Sequence, residues 1–437
     1  MSKRAVLMPV LVLFGINILN FYDRHLTGAL VEPMRKEFGL TDTQVGLMGS
    51  VFIWIYAVIG VPLGLVADRW SRKWLLLAGL AVWSSMTALG GLVNSFAWML
   101  VTRLGVGIGE AVCAPTGTSW LGDLFPPEKR SRVLALFMLG VPVGGALSYF
   151  LSGPIAQEWG WRTAMVVAAL PALILGPALA MQREPQRGAS EHIRHVAEKS
   201  SVWKLLKIPT LWWIIASGVF LNFNMYAIGM FLPALLSRVH KMSLAESGTA
   251  TGLTYIVGGV CGGLLAGYLG DKIVSKRKNG RLLLAAGLTA VGAPLSYIGI
   301  IQPAGSVWMA LTLLTLAYGS MNTYYGLVYA SIQDIVAPTQ RGITMAIYFM
   351  AMYLCGASFG PLLTGMVSDR MARQAMEAAG ATQMTEAFRA MGLQQAMVII
   401  PILLLALALV LLAASRTILG DVERRERAAR LAQVAEV

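Results

Sequence analysis

Apolar residues run in long blocks along the whole chain, separated by short polar segments. Twelve blocks stand out, at residues 6–30, 44–67, 74–93, 97–122, 132–156, 161–182, 209–236, 247–270, 282–301, 306–333, 342–367 and 392–415. Each approaches or exceeds the roughly 20 residues that an α-helix needs to cross the hydrocarbon core of a bilayer. A membrane barrel would show alternating segments of about ten residues instead. The pattern predicts an all-α polytopic membrane protein with twelve transmembrane helices. No charged, apolar and small-residue leader precedes the first block, so a removable signal peptide is not expected.

Composition agrees with this pattern. Of 437 residues, 56% are hydrophobic and 13% charged, against roughly 25% charged in a soluble domain. The formal net charge is nevertheless +13. Nucleic-acid binding would need the basic residues gathered on a soluble domain, and the chain offers none. With both termini in the cytoplasm, 25 of the 35 Lys and Arg fall on the cytoplasmic side and 8 on the other. Two, Arg24 and Arg103, lie inside spans. This asymmetry follows the positive-inside rule and supports an even number of spans with both ends inside. Asn-x-Ser/Thr sequons are absent, which favours a bacterial inner membrane over a glycosylated eukaryotic surface. Cys113, Cys261 and Cys355 are scattered within spans and fit neither a disulfide framework nor a zinc site. No metal is expected.

The polar stretch 183–208 divides the chain into an N-terminal bundle (1–182) and a C-terminal bundle (209–415), followed by a cytoplasmic tail (416–437). In the linker, His192 and His195 read as solvated residues rather than a metal pair. Marks in the first half return in the second. Gly64 and Asp68 after span 2 correspond to Gly267 and Asp271 after span 8; Asp123, Pro127 and Arg130 correspond to Asp334, Pro338 and Arg341. Such internal repeats characterise secondary transporters, whose binding site lies between the repeats. The pairs Gly60/Gly64, Gly105/Gly109, Gly140/Gly144, Gly259/Gly263 and Gly356/Gly360 predict close helix contacts. Residues 369–391 predict a short amphipathic helix. No Gly-Lys dipeptide occurs, so the ATP-binding loop is absent. An intramembrane hydrolase would need clustered His, Asp, Ser or metal ligands, whereas His25 is the one histidine within a span. Neither an enzyme nor a receptor is therefore favoured.

Gly64–Lys73 resembles the loop signature of the major facilitator superfamily, and Arg103-x-x-x-Gly107-x-Gly109 resembles its fourth-helix motif. Leu19-Asn-Phe-Tyr-Asp23-Arg24, Ala67-Asp-Arg-Trp-Ser-Arg-Lys73, the run from Arg103 to Ala111 and the stretch Arg130–Tyr149 are similar to the Spinster-like branch. Parts of this pattern also occur in anion:cation symporters that import sugar acids. The resemblance implies two pseudo-symmetric six-helix bundles working by alternating access as a monomer without cofactor. It implies an amphipathic anionic or zwitterionic substrate such as a lysophospholipid, with proton coupling; the alternative is a symporter importing small organic anions. It also implies gating by Gly64, Asp68, Arg69, Arg72 and Arg130. Asp68 would cap a neighbouring helix and pair with Arg72 or a facing Arg.

Ionisable groups at membrane depth cost at least about 2.5–3.5 kcal/mol on insertion scales and mark functional sites. Asp23, Arg103 and Glu110 stand out. At about 1.5 Å per helical residue, Asp23 and Arg103 share a depth in the outer half. Glu110 lies two turns from Arg103 on the same face. Asp23 and Glu110 are the expected proton-coupling groups, and Arg103 the expected anchor for a substrate anion, since its fork fits carboxylate or phosphate. Arg24 and His25 are expected toward the outer surface. Spans 7–12 carry no charge away from their ends. Their Asn222, Tyr226, Asn322, Tyr325 and Tyr348 are expected to form an amphipathic substrate wall.

Overall fold

The structure is a computed structural model and describes residues 3–187, 205–274, 277–337 and 340–435. The side chains of Asp68, Arg130 and Asp271 lie outside the described set, as does most of the linker with His192 and His195.

Among the described residues, ten helical stretches are long and apolar enough to span a bilayer. One of them, Arg132–Ala180, contains 49 residues and doubles back at Gly160 (φ 84°, ψ 155°). That conformation is open to glycine alone, and the fold there supplies spans 5 and 6 from one run. Val307–Ile335 is the remaining crossing; Asn322, Gln333 and its tyrosines lower its hydropathy. The total is twelve.

Span 1 is Lys3–Ala29 and leads into a short helix, Val31–Phe38. Span 2 is Asp42–Arg69, started by a capping box between Thr41 and Gln44. Span 3, Arg72–Gly90, is capped by Ser71. Span 4 is divided into Phe96–Glu110 and Cys113–Leu124. Span 7 is Pro209–Arg238. Span 8 starts at a Ser243/Glu246 capping box, and span 9 is Gly280–Ile300. The caps satisfy amide donors that the first turn of a helix leaves free. Spans 8 and 11 each contain one π turn, Thr254–Gly258 and Met352–Ala357, a distortion frequent at functional sites. Span 11 continues to Ala378 and span 12 opens at Glu386. The separate helix expected over 369–391 is thus replaced by extensions of its neighbours.

At the end carrying the termini, each half is tied internally. Arg72 is fully buried and donates to Asp123, to Glu184 (3.1 Å), to Ser119 (3.0 Å) and to the Pro185 carbonyl (2.8 Å). Arg281 donates to Asp334 at 2.8 Å in the second half. The repeat read as Asp123/Asp334 is therefore a repeated ion pair.

The two halves meet at the opposite, far end. A Cβ at Gly28 would lie 2.3 Å from the Gly229 carbonyl oxygen, and one at Gly46 would lie 2.3 Å from that of Pro361. Only glycine permits this approach of backbones. Gly248 likewise sits 2.7 Å, measured from its Cβ position, from the Tyr149 carbonyl. Toward the termini the halves separate. Gly60, Gly64, Gly263 and Gly267 have no neighbour within 4 Å of a Cβ position, and Val61, Leu65, Leu264 and Tyr268 are exposed. The glycine pairs on spans 4, 5 and 11 form the predicted close contacts; Gly60/Gly64 and Gly259/Gly263 do not.

Candidate functional site

Span 1 places three polar side chains in succession, and a helical step of about 100° sends each in a different direction. Asp23 points into the N-terminal bundle and is fully buried. Arg24 points to the boundary between the halves. Its Nη2 and Nε donate to Glu110 Oε2 at 3.1 and 3.3 Å, and neither side chain is more than 2% exposed. Arg24 Nη1 has no partner. Its guanidinium lies over the rings of Tyr56 (4.5 Å), Phe21 (4.6 Å) and Phe52 (5.5 Å), a cation–π arrangement. Glu110 ends the first segment of span 4, so the break in that span leaves its carboxylate at the boundary.

Arg103 donates through Nη1 to Thr27 at 2.9 Å, while Nε and Nη2 have no partner. Both oxygens of Asp23 also lack a hydrogen bond, although Arg103 and Glu110 are its charged neighbours. The expected trio is thus brought together, with Arg24 rather than Arg103 paired to Glu110. Arg24 does not turn to the outer surface. The sequence did carry a signal: Asn17, Asn20 and Arg24 form one polar stripe at helical spacing, and Arg24 reaches Asn20 Oδ1 at 3.5 Å. His25 is held inside as well. Its Nδ1 lies 2.8 Å from the Phe21 carbonyl, and its ring meets Tyr149 and Tyr255 edge-on at 5.8 and 5.1 Å.

The second half faces Arg24 with aromatic residues. Tyr226 and Tyr353 are its neighbours, and Tyr353 packs against Tyr56 at 5.7 Å and Tyr226 at 6.3 Å. Tyr353 lies in the π turn of span 11. Asn222 donates to the Gly218 carbonyl at 3.0 Å and accepts from Tyr325 at 3.4 Å. Asn322 donates to the Tyr318 carbonyl at 3.2 Å. Tyr348 is fully buried within the second half; its hydroxyl meets Tyr324 at 3.0 Å, so it supports the wall from behind. Of the expected gating residues, Gly64 and Arg69 stand in the separated region, with Arg69 exposed. Arg72 ties its own half together, and the side chains of Asp68 and Arg130 lie outside the described residues.

The far end carries a polar network that sequence reading missed. Arg238 of span 7 donates to Glu32 (2.7 Å) and with both Nη atoms to Asp42 (2.8 Å each). Asp42 also accepts from Ser368 at 2.6 Å. Asp369 accepts from the backbone amides of Asp42 and Thr43 at 3.0 and 2.8 Å. Arg35 joins Glu32 to Glu386. Every one of these links except Arg35–Glu32 joins the two halves. Residues at helix ends read as ordinary caps and loop charges, which concealed them.

A family model described as Major Facilitator Superfamily matches residues 13–361. An MFS-type efflux pump of Mycolicibacterium smegmatis is 32% identical over 373 residues, covering 85% of this chain and 86% of that protein. Protein spinster homolog 1 of Xenopus laevis is 28% identical over 399 residues, covering 84% and 74%. A crystal structure of a bacterial homolog to the human lysosomal transporter Spinster, inward-facing and unoccupied, superposes with a TM-score of 0.85 at 28% identity, covering 96% of this chain and 99% of that one. The chain belongs to the major facilitator superfamily, in its Spinster-like branch. It is an integral membrane transporter with two six-helix bundles, and the Arg24–Glu110 pair of this Spinster-like transporter lies where those bundles face each other.

Proposed function

We propose that the protein is a proton-coupled transporter of an amphipathic anion or zwitterion such as a lysophospholipid. The observation that supports this most directly is the buried Arg24–Glu110 pair with a spare guanidinium nitrogen, set against Tyr56, Tyr226 and Tyr353. A substrate phosphate or carboxylate competes with Glu110 for the Arg24 fork. Glu110, once released into a dry site, favours the proton over the charge. Binding of anion and proton are linked in this way. Asp23 is the second coupling group and Arg103 the cation that balances it. Tyr226, Asn222, Tyr325 and Asn322 form the wall against which the apolar part of the substrate packs. Tyr348 holds that wall.

The termini lie in the cytoplasm of a bacterial inner membrane, an orientation that the distribution of basic residues supports. The far end then faces outward, and the conformation described is inward-open. An efflux pump among the relatives supports export as the direction. The protein works as a monomer, and the Gly64–Lys73 loop with Arg130 closes the cytoplasmic side when the bundles rock.

A thermal-shift screen of lysophospholipids against sugar acids tests this reading. Lysophospholipids are expected to stabilise the wild-type protein and to lose that effect in Arg24→Ala. Liposomes with an imposed pH gradient should show lysolipid-dependent proton movement that Glu110→Gln removes. Stabilisation by sugar acids alone overturns the lipid substrate in favour of small organic anions. Lysolipid flux without proton movement overturns the coupling.

A further inference from the structure

Span 3 presents two unspent hydrogen-bond donors to the Asp23 carboxylate. Trp83 and Thr87 are four residues apart, hence on one face of the helix, and both are fully buried. Both stand beside Asp23. Neither the Trp83 indole nitrogen nor the Thr87 hydroxyl has a hydrogen-bond partner, and neither do the two Asp23 oxygens.

The Thr87 hydroxyl is the more informative. Several buried threonines within helices of this protein return their hydroxyl to the carbonyl four residues back, as Thr116 (2.5 Å), Thr251 (2.8 Å) and Thr289 (2.8 Å) do, whereas Thr87 and Thr364 leave theirs without a partner. The bond to the carbonyl is the default use of such a hydroxyl. Thr87 does not take it. Trp83 is equally constrained: a Cβ at Gly109 would lie 2.6 Å from the Trp83 amide nitrogen and 2.9 Å from its Cβ. The backbone of span 4 beside Glu110 therefore presses directly on Trp83.

We propose that Trp83 and Thr87 are positioning residues for Asp23, forming a two-donor cradle on span 3 that grips its carboxylate when charged and slackens when it is protonated. The inference rests on proton coupling at Asp23. An indole N–H can only donate, and a hydroxyl both donates and accepts. Bonds to a charged acceptor are roughly twice as strong as neutral ones, so the cradle discriminates between the two forms. The other groups that face Asp23 are Arg103 and Glu110 from span 4, and Tyr22 of its own helix, whose hydroxyl is engaged by Ser152 of span 5 at 2.8 Å. In the conformation described, both donors stand beside the carboxylate without a well-formed hydrogen bond to it. Because Gly109 leaves span 4 in contact with Trp83, closing the cradle moves the helix that bears Glu110. Span 3 thereby links the two acidic sites.

The test uses the full chain in liposomes without substrate. Cys113, Cys261 and Cys355 are replaced by alanine, and Met230→Cys reports opening of the far end by its reaction rate with a membrane-impermeant maleimide, read across pH. Losing a donor to the charged form makes the proton bind at higher pH. Trp83→Phe and Thr87→Val should each raise the pH midpoint by about one unit, the size expected for one bond to a charged group. Thr87→Ser should keep the wild-type midpoint. In an Asp23→Asn background neither substitution should move anything further. A pH profile unchanged by Asp23→Asn itself overturns proton coupling at Asp23. A profile that depends on Asp23 but ignores Thr87→Val overturns the cradle alone. If Trp83→Phe fails to fold, the Thr87→Val and Thr87→Ser pair decides.

Discussion

Replacing Arg238 by methionine removes three hydrogen bonds from the far-end network while keeping most of the side-chain volume. It leaves Asp42 with Ser368 alone, and Glu32 with Arg35. Arg238 and Asp42 are each 2% exposed and Glu32 7%. Removing one partner of a buried ion pair costs about 3–5 kcal/mol, because the other charge stays buried without compensation. Glu386, at the rim of the network, is 55% exposed, so water softens the loss and the lower figure of about 3 kcal/mol applies. The cost falls only on the conformation in which the halves meet at this end, since opening it hydrates Asp42 and Glu32. The equilibrium should therefore move toward the far-end-open conformation by roughly a hundredfold. Met230 is 6% exposed and packs against Gly49 across the boundary, so Met230→Cys should react with an impermeant maleimide correspondingly faster in Arg238→Met. Gly46→Leu should act in the same direction by sterics, since its side chain meets the Pro361 carbonyl. Equal reaction rates in Arg238→Met and its parent would refute the idea that this network holds the far end shut.

Two further outcomes separate structural ties from moving ones. Arg72→Leu should lower the thermal unfolding temperature through a loss of roughly 3 kcal/mol in the N-terminal half, with Met230→Cys reactivity unchanged; altered reactivity at an unchanged unfolding temperature would return Arg72 to a gating role. Glu37 donates nothing but accepts from Arg162 and from the Trp161 indole at 2.6 and 2.7 Å, and these bonds to Arg162 first and Trp161 second hold its carboxyl below the usual carboxylate range. A depressed value means that this contact contributes fully above the ordinary range and is lost as pH falls through the depressed one. Trp161 emission should change on that acid limb, and Glu37→Gln should abolish the change.

The number of spans, their order and the repeat were legible in the sequence because the bilayer imposes one strong local rule: a helix must be long and apolar enough to cross it. Asp23, Arg103 and Glu110 were legible for the complementary reason, since charge at that depth is costly wherever the helix packs. The direction in which each side chain points was not. Asp23, Arg24 and His25 are consecutive, and only packing assigns one to the bundle interior, one to Glu110 and one to the tyrosines. The network of Arg238, Asp42, Glu32, Asp369 and Glu386 was hidden for a related reason. Its members lie at helix ends, where charge is cheap and unremarked, and they come together from segments up to 351 residues apart. Trp83 and Thr87 read as ordinary span residues until the tertiary structure set their unspent donors beside Asp23. The sequence alone determined that this chain crosses a membrane twelve times in two related halves with a few charges inside. Tertiary structure alone decided which of those charges pair and which end is closed, because pairing depends on distances between helices that no local pattern encodes.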